Sequence, residues 1–338
     1  MNMSDINKKC PVCGQVQGSN KNSITCKQCG FEYAFIKYSA SDKTFRVWQQ
    51  NVQENKKRNS PDLETMEIFL SGDSLACMNY ESKELYIFRD GEEVQHEQNV
   101  ISYSLNDRNS AILYADGKLR MSGDNSYGQY EMEKFTDVKK VVCGPNSSYA
   151  IKNNGTVQIS GLVLTHEIET WTDIENLVCG SYHILGLTKN HTVKIAGDNI
   201  NPIIADKISK WKHVKAVCAT TDASVALFED GTVSFAGREK DLRADVEGWR
   251  DIVSIAIESA YTVGVTKNGQ VRLAGFCKPF FDIMNRSTAA EWKNVTKITT
   301  GKSSIAALFQ DGTVKIVGNF SGDIEEIYNN WKKNISYR

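Results

Sequence analysis

A turn signal followed at a fixed distance by glycine recurs through most of the sequence, and this spacing constrains the fold more than any other feature. The six turn pairs are Asp116-Gly117, Asn154-Gly155, Asn190-His191, Asp230-Gly231, Asn268-Gly269 and Asp311-Gly312, and the glycines six residues later are Gly123, Gly161, Gly197, Gly237, Gly275 and Gly318. Such pairs tolerate the positive φ angles of tight hairpins. Apolar and polar residues alternate between turn and glycine, as in Val157-Gln-Ile159, which indicates a strand with one buried face.

Two further strands precede each turn in the same order. A middle strand ends just before the turn, as in Ser304 to Leu308, and an earlier strand carries two apolar residues spaced by three. An aromatic residue stands three positions before that apolar pair, at Phe135, Trp171, Trp211, Trp249 and Trp292. Less regular copies begin at Met66 and Val100. The chain therefore contains seven copies of a three-stranded unit.

A three-stranded unit of about 40 residues is too small to bury its own apolar face and must stack on its neighbours. The period of two excludes helical repeats. We therefore predict an all-β protein, a seven-bladed β-propeller over residues 62–338. An open solenoid of the same units is the structural alternative. Residues 331–338 begin like another first strand, and we expect them to help close the ring.

Two Cys-x-x-Cys pairs near the N-terminus predict a metal site. The cysteines are Cys10, Cys13, Cys26 and Cys29. Four thiolates at this spacing suit the tetrahedral coordination of zinc, with Zn–S distances of about 2.3 Å. We expect one structural Zn²⁺ with no open coordination position. Two local disulfides or four free thiols are the alternatives.

The segments 31–38 and 44–48 alternate as strands and predict a hairpin, so that residues 1–48 would form a zinc ribbon. Residues 49–61 are polar and charged, and they are predicted to be a linker. The first sixty residues carry ten Lys and Arg against four Asp and Glu, whereas the rest of the chain carries 30 against 37. The ribbon and linker are therefore basic and the propeller is acidic.

Composition favours a cytoplasmic protein. The net charge of −1 argues against a chain that coats nucleic acid along its whole length. No apolar run approaches the roughly 20 residues that span a bilayer, and the first nine residues lack the apolar stretch of a signal peptide. The cysteine count of nine is odd, which together with the predicted thiolate site favours a reducing compartment.

Two stretches of the repeat carry a family resemblance. The segment Gly123-Asp-Asn-Ser-Tyr-Gly-Gln-Tyr130 resembles the Gly-Asp-Asn-x-x-Gly-Gln-Leu-Gly signature of the regulator of chromosome condensation repeat family. The segment that begins Gly180-Ser-Tyr-His183 resembles its Gly-x-x-His element. From about residue 63 onward the short copies look most similar to the bacterial type with three-stranded blades, which includes an inhibitor of β-lactamases.

That resemblance implies a propeller that binds protein, without implying a particular partner. Only one copy has the full signature, and the position of His183 is taken elsewhere by Ser147, Ala223, Tyr261 and Ser304. No functional residue of the family is therefore carried over to this chain. At His183 itself, the expected role is a structural hydrogen bond.

Nothing in the sequence predicts catalysis. The histidines fall at different repeat positions, at His96, His166, His183, His191 and His213. Phosphate-binding glycine loops and nucleophile motifs are not found. Cys143, Cys179 and Cys218 occupy equivalent or adjacent positions of one predicted strand and are expected to be small buried core residues. We therefore expect a protein that is not an enzyme.

Loops on the propeller faces are the predicted binding surface. The longest connection, 276–291, is rich in apolar residues, and three tyrosines lie in other loops. The predicted contact residues are Phe276, Lys278, Phe280, Phe281, Met284, Tyr127, Tyr130 and Tyr182. The alternative for Phe280 and Phe281 is that they tuck under their own blade.

The favoured function is thus a protein–protein interaction module that acts as adaptor, inhibitor or regulatory subunit, with the zinc ribbon as a second contact. The partner's identity is not encoded in any recognisable motif. The alternative is a regulator that binds DNA or RNA through the basic ribbon and linker, including the run Lys56-Lys57-Arg58, while the propeller holds protein.

Overall fold

The computed structural model describes residues 23–25, 32–34, 63–72, 74–89, 95–163, 165–198, 200–238, 240–276, 286–301 and 303–318. In this part of the chain, antiparallel strands form a two-stranded sheet near the N-terminus and seven larger sheets beyond it. No helix among these residues is both long and apolar enough to cross a membrane.

The small sheet pairs strand β1 (Ser23–Thr25) with strand β2 (Glu32–Ala34), and Ile24 lies opposite Tyr33. The six residues that join these strands include Cys26 and Cys29 in sequence. Strand β2 falls inside the segment predicted as 31–38, but its partner β1 was not predicted. The predicted second strand, 44–48, and all four predicted zinc ligands lie outside the described residues.

Seven sheets follow, and we call them blades 1 to 7. Blade 1 has four strands, β3 (Met66–Ser71), β4 (Ser74–Asn79), β5 (Glu84–Arg89) and β6 (Gln95–Glu97). Blades 2 to 4 contain β7 (Val100–Leu105), β8 (Asn109–Tyr114), β9 (Leu119–Gly123), β10 (Val138–Cys143), β11 (Ser147–Lys152), β12 (Val157–Gly161), β13 (Ile174–Cys179), β14 (His183–Thr188) and β15 (Val193–Gly197). Blades 5 to 7 contain β16 (Val214–Ala219), β17 (Ser224–Phe228), β18 (Val233–Ala236), β19 (Ile252–Glu258), β20 (Tyr261–Thr266), β21 (Val271–Gly275), β22 (Val295–Gly301), β23 (Ser304–Phe309) and β24 (Val314–Gly318).

Short helical segments occupy the connections between blades. The only α-helix among the described residues is α1 (Pro202–Ser209), and Asn201 caps it by accepting a hydrogen bond from the Ile203 N–H. Short 3-10 segments lie at Leu63–Thr65, Gln129–Lys134, His166–Thr170, Leu242–Ala244 and Arg286–Glu291. The sequence analysis did not predict these segments.

The blades close into a ring. The first strand of each blade contacts the first strand of the next, from β3 through β7, β10, β13, β16 and β19 to β22, and β22 in turn contacts β3. Across that last junction, the Lys297 ammonium donates to the carbonyl oxygens of Glu64 and Met66 at 3.0 and 2.5 Å. Lys297 is more than 230 positions from both Glu64 and Met66 in the sequence. The predicted seven-bladed β-propeller is confirmed, and the open solenoid is wrong.

No blade has a hydrophobic core of its own. Six apolar clusters each combine residues of two consecutive blades, from blades 1 and 2 to blades 6 and 7. In the cluster between blades 3 and 4, Tyr149 and Ile151 pack with Trp171 and Leu177. The predicted aromatic residue before the first strand of blades 3 to 7 therefore fills the space between neighbouring sheets, so that each of these blades depends on the one before it.

The two residues of a turn pair stabilise the hairpin in different ways. The second residue has a positive φ, for example 86° at Gly117 and 74° at Gly269. In four of the six pairs the first residue accepts a hydrogen bond from the backbone N–H two positions later, as Asp116 does from Lys118 at 2.9 Å. In the other two pairs a threonine two positions before the pair, Thr188 or Thr266, accepts that N–H instead. Only the second position of a pair thus favours glycine, and His191 takes it in blade 4 with a φ of 57°.

Some turn glycines also touch the next blade. The Gly269 carbonyl accepts the N–H of Val295, the first residue of β22, at 3.1 Å. A Cβ at position 269 would lie 2.8 Å from the Cα of Asn294, whereas a Cβ at position 117 would meet no atom within 4 Å. Glycine at 269 is therefore required by the turn and by the neighbouring backbone, and glycine at 117 by the turn alone.

This difference gives a matched pair of variants. Gly117→Ala should cost about 1 kcal/mol, because only the positive φ is disfavoured. Gly269→Ala should cost at least about 2 kcal/mol, because the added methyl group also forces blades 6 and 7 apart. Urea unfolding midpoints of the two variants and the parent measure the difference. Equal losses would contradict the close approach of the two backbones.

Candidate functional site

The turns between the first and second strands and the start of the connections that follow the third strands lie at the same end of the blades. We call this end the upper face. The residue after the glycine that ends a third strand donates its N–H to the turn between the first and second strands of the same blade. The pairs are Leu162 with Asn146 at 2.9 Å, Asp198 with Tyr182 at 3.0 Å and Phe276 with Ala260 at 2.8 Å. The Asp-Gly turns lie at the opposite end, which we call the lower face. Nearly all variation in connection length begins at the upper face.

Most exposed apolar side chains of the described residues belong to this face. The large hydrophobic side chains that are exposed are Tyr127, Leu162, Tyr182, Ile203, Leu242, Val253 and Phe276. All except Val253, which lies in β19, sit in upper-face turns or in the connections that leave from them. Exposed apolar side chains are concentrated in this way on surfaces that bind other macromolecules.

Three predicted contact residues are on this surface and exposed. Tyr127, Tyr182 and Phe276 expose 49%, 60% and 47% of their surface. Tyr130 is different, because its hydroxyl donates to the Gly123 carbonyl and its ring packs against the core between blades 2 and 3. Lys278, Phe280, Phe281 and Met284 lie outside the described residues.

Sequence reasoning missed Leu162, Ile203 and Leu242. The signal for Leu162 was available, because it follows the strand-end glycine Gly161 just as Phe276 follows Gly275. That position points out of the propeller in both blades, so an apolar residue there is exposed. Ile203 and Leu242 have no equivalent residues in the other blades, because the connections after blades 4 and 5 differ in length and local structure. Their exposure could therefore not be predicted from the repeat.

A buried ion cluster fixes the upper face between blades 5 and 6. The Arg243 side chain is only 6% exposed, and its guanidinium pairs with the carboxylates of Asp241 and Asp222 at 2.5 and 2.9 Å. A second nitrogen, Nε, donates to Asp241 at 2.9 Å, and the guanidinium lies 5.8 Å from the ring centre of Phe235. Asp241 also accepts the backbone N–H of Arg243. The loop that carries Leu242 is thereby tied to the turn of blade 5.

Arg243 controls the ionisation of its partner. Burial by itself raises the pKa of the Asp241 carboxyl, but the hydrogen bonds and the charge of Arg243 outweigh burial and lower that pKa from 3.8. Asp241 is therefore ionised at neutral pH. A second cation, Arg238, is exposed and lies 3.3 Å from Asp222, so that charge of both signs surrounds the apolar side chains here.

His183 and Ser224 form a hydrogen bond of 2.8 Å across the junction of blades 4 and 5. A histidine beside a serine hydroxyl can serve as a base and nucleophile pair. Here Ser224 is fully buried, so no substrate reaches its hydroxyl. Burial also lowers the pKa of His183, with the charge of Asp222 opposing that shift. The predicted structural hydrogen bond is confirmed.

The thiols of the propeller are also withdrawn from solvent, Cys143 being buried and Cys179 and Cys218 half-buried against the apolar clusters. Burial raises the pKa of Cys143 and of Cys218 to about 12, which keeps both thiols protonated and unreactive. Burial raises the pKa of Cys179 too. In the described ranges, no group of three His, Cys, Asp or Glu residues is arranged to hold a metal ion.

Comparisons with known proteins relate this chain to others by fold. No protein-family model and no curated protein matches the sequence. The ectodomain of the receptor kinase CR4 from Physcomitrella patens is similar in structure, with a TM-score of 0.57 and 14% identity over 75% of this chain and 73% of that one.

Two structures of the yeast propeller Prp20 are also similar. Prp20p from Saccharomyces cerevisiae, whose structure was described with its binding to Gsp1p and histones, has a TM-score of 0.53 and 13% identity over 80% of this chain and 85% of that one. Yeast RCC1 (Prp20), solved with Kap60, has a TM-score of 0.52 and 15% identity over 79% and 82%. The fold is that of an RCC1-like β-propeller, as the repeat signature predicted. At these identities the likeness concerns the fold alone.

The ion cluster gives a pH-dependent prediction. Since the pKa of Asp241 is lowered in the folded protein, its stabilising contribution is present above pH 3.8 and is lost as the pH falls through the folded pKa. Asp241→Asn should lower the free energy of unfolding by about 3 kcal/mol at pH 6, and the deficit should shrink below pH 3.8.

Urea unfolding of the parent and the variant from pH 6 to pH 3 measures the deficit. Asp206→Asn is the control, because it removes an exposed pair with Lys210 that is worth at most about 1 kcal/mol. A deficit for Asp241→Asn that stays constant over the whole range would contradict the assignment.

Proposed function

We propose that this chain is a non-catalytic module that binds another protein through the upper face of its propeller. The observation that carries the proposal is the distribution of exposed apolar side chains, because six of the seven large ones among the described residues lie in upper-face turns or in the connections that leave from them. Tyrosine, leucine and isoleucine side chains surrounded by mixed charge are typical of a protein-binding surface.

The ion cluster supports the same proposal. A binding surface gains affinity when its contact residues are held in place before the partner arrives. Arg243, Asp241 and Asp222 hold the loop of Leu242 against blade 5, and α1 presents Ile203 from a capped first turn. Tyr182 lies in the upper turn of blade 4, which is joined to the upper turn of blade 5 by a hydrogen bond of 3.0 Å between the Ser181 and Thr221 hydroxyls. Tyr182, Ile203 and Leu242, which we call the blade 4–5 patch, are the favoured centre of the contact.

Neighbouring folds agree with a binding role without identifying the partner. The structure of Prp20p was described together with its binding to Gsp1p and histones, and that of yeast RCC1 with Kap60. An adaptor, an inhibitor and a regulatory subunit each require such a surface, and we place this chain among them, in the cytoplasm. The alternative of a nucleic-acid regulator depends on residues 1–61, and no observation on the described residues favours it.

Zinc is part of this proposal. Cys10, Cys13, Cys26 and Cys29 supply four soft ligands, the donor set of a structural zinc site, and the ribbon would add a second contact for the partner. Elemental analysis of the purified full chain should give one zinc per chain, and Cys10→Ser with Cys13→Ser should abolish it. Cys179→Ser is the control and should retain one zinc. A metal-free parent protein prepared with zinc present would contradict the site.

The binding proposal is tested with two matched sets of substitutions. The upper set is Tyr182→Ala, Ile203→Ala and Leu242→Ala. The lower set is Val253→Ala, His213→Asn and Lys267→Ala, three exposed residues at the lower-face ends of strands β19, β16 and β20. The parent chain is first used to capture proteins from the source cell, and these are identified. The affinity of the strongest partner is then measured for the parent chain and for the chain that carries each set. The upper set should weaken binding at least about 30-fold, as loss of central contact residues does, and the lower set less than about threefold.

Both sets must give the circular dichroism and thermal transition of the folded parent for the comparison to count. Equal binding by the parent and the upper set, or a loss confined to the lower set, would contradict the proposed face.

A further inference from the structure

One buried position recurs at the start of the middle strands, seven residues before the first residue of the turn pair. We call it the junction position, because its side chain can reach the next blade. The residues there are Asn109, Ser147, His183, Ala223, Tyr261 and Ser304 in blades 2 to 7.

Two junction residues show how this position links blades. His183 of blade 4 bonds Ser224 of blade 5 through Nε2 at 2.8 Å. Tyr261 of blade 6 directs its hydroxyl to the carbonyl oxygens of Gly301 and Ser304 in blade 7, each at 2.8 Å. In both cases a long side chain crosses to the neighbouring blade and satisfies a buried polar group there.

Asn109 of blade 2 is too short to do the same. It is 2% exposed, and neither its amide nitrogen nor its amide oxygen has a hydrogen-bond partner in the protein. The amide nitrogen lies one covalent bond nearer to Cα than the imidazole Nε2 of a histidine. A buried primary amide with both polar atoms unpaired would cost several kcal/mol, and buried polar groups are therefore almost always satisfied.

The expected partner on blade 3 is unsatisfied as well. Ser148 follows the junction position of blade 3 by one residue, just as Ser224 follows that of blade 5. Ser148 is fully buried, and its hydroxyl has no oxygen or nitrogen partner within the protein. Its one polar neighbour is the Cys143 thiol, whose pKa a hydrogen bond with Ser148 lowers against the larger effect of burial. The repeat therefore sets Asn109 opposite Ser148 in the way that it sets His183 opposite Ser224.

On the upper-face side, the space between Asn109 and Ser148 is covered by two other hydrogen bonds between blades 2 and 3. On the upper face, the Asn106 amide donates to the Gly144 carbonyl at 2.6 Å, and the Arg108 guanidinium donates to the Asn146 side chain at 3.2 Å. These contacts join blades 2 and 3 at their rim. The unpaired groups beneath them are consequently shielded from bulk solvent.

We propose that one water molecule is bound between Asn109 and Ser148, in the place that the histidine ring fills between blades 4 and 5. The amide nitrogen would donate to this water, the amide oxygen would accept from it, and the serine hydroxyl would complete the site. Three polar partners are the usual number for a buried water. Blades 2 and 3 are thus joined by a solvent molecule where blades 4 and 5 are joined by a side chain.

Crystal structures of the full chain and of Asn109→His test the proposal. The parent should show an ordered water about 3 Å from the Asn109 amide and the Ser148 hydroxyl. In Asn109→His the water should be gone, with Nε2 bonded to Ser148 as His183 is bonded to Ser224. The release of one ordered water should raise Tm by about 2 °C.

The reverse variant keeps the test decisive if Asn109→His does not fold. His183→Asn should acquire a water between residues 183 and 224 and should melt below the parent. A parent structure in which the Asn109 amide bonds protein atoms directly, or in which no water contacts Asn109 and Ser148, would overturn the proposal.

Discussion

Close backbone contact between consecutive blades is the constraint on which the rest of this structure depends. Where Gly269 meets Asn294, the turn of one blade and the entry of the next are so near that a methyl group does not fit between them. The carbonyl of Gly269 bonds the first residue of the following blade. The equivalent backbone hydrogen bond joins five pairs of consecutive blades among the described residues, and the ring closes where β22 contacts β3. Apolar clusters shared between blades then supply the stability that no single sheet has.

The same constraint separates the two faces of the propeller. At the lower face, the hairpin turns and strand entries are locked together, and their spacing scarcely varies. At the upper face the connections are free to differ, and they contain α1, the 3-10 segments and the exposed apolar side chains. Arg243 then fixes one of these variable loops with a buried ion cluster. A rigid lower half and a variable upper face together suit a protein that recognises another protein.

The fold could be predicted because its constraints recur in the sequence. Five of the six strand-end glycines have a positive φ, all except Gly237, and the second residue of the turn pair has one in blades 2 to 7. Six copies at equal spacing were therefore enough to count the strands. The contact surface was harder to predict. Tyr127, Tyr182 and Phe276 were identified because aromatic side chains stand out in loops, whereas Tyr130 from the same loops packs inward.

The interactions between loops could not be derived from sequence. Arg243 and Asp222 are 21 residues apart in loops without a common repeat position, so nothing in the pattern indicated that they pair. The unpaired amide of Asn109 emerged only when its burial and its equivalence to His183 were combined. A pattern of spacing specifies backbone geometry, whereas side-chain pairing depends on which loops the ring brings together.

Closure of the ring between blades 7 and 1 is the claim that most directly supports this account. A Cβ at position 301 would lie 3.1 Å from Cγ of Leu70, so Leu70→Cys combined with Gly301→Cys brings two thiols within disulfide range across that junction. Under mild oxidation, peptide mapping by mass spectrometry should find residues 70 and 301 linked within one chain, while each single variant shows no such link. A folded double variant in which both thiols stay free, or link only between different chains, would contradict a closed seven-bladed ring.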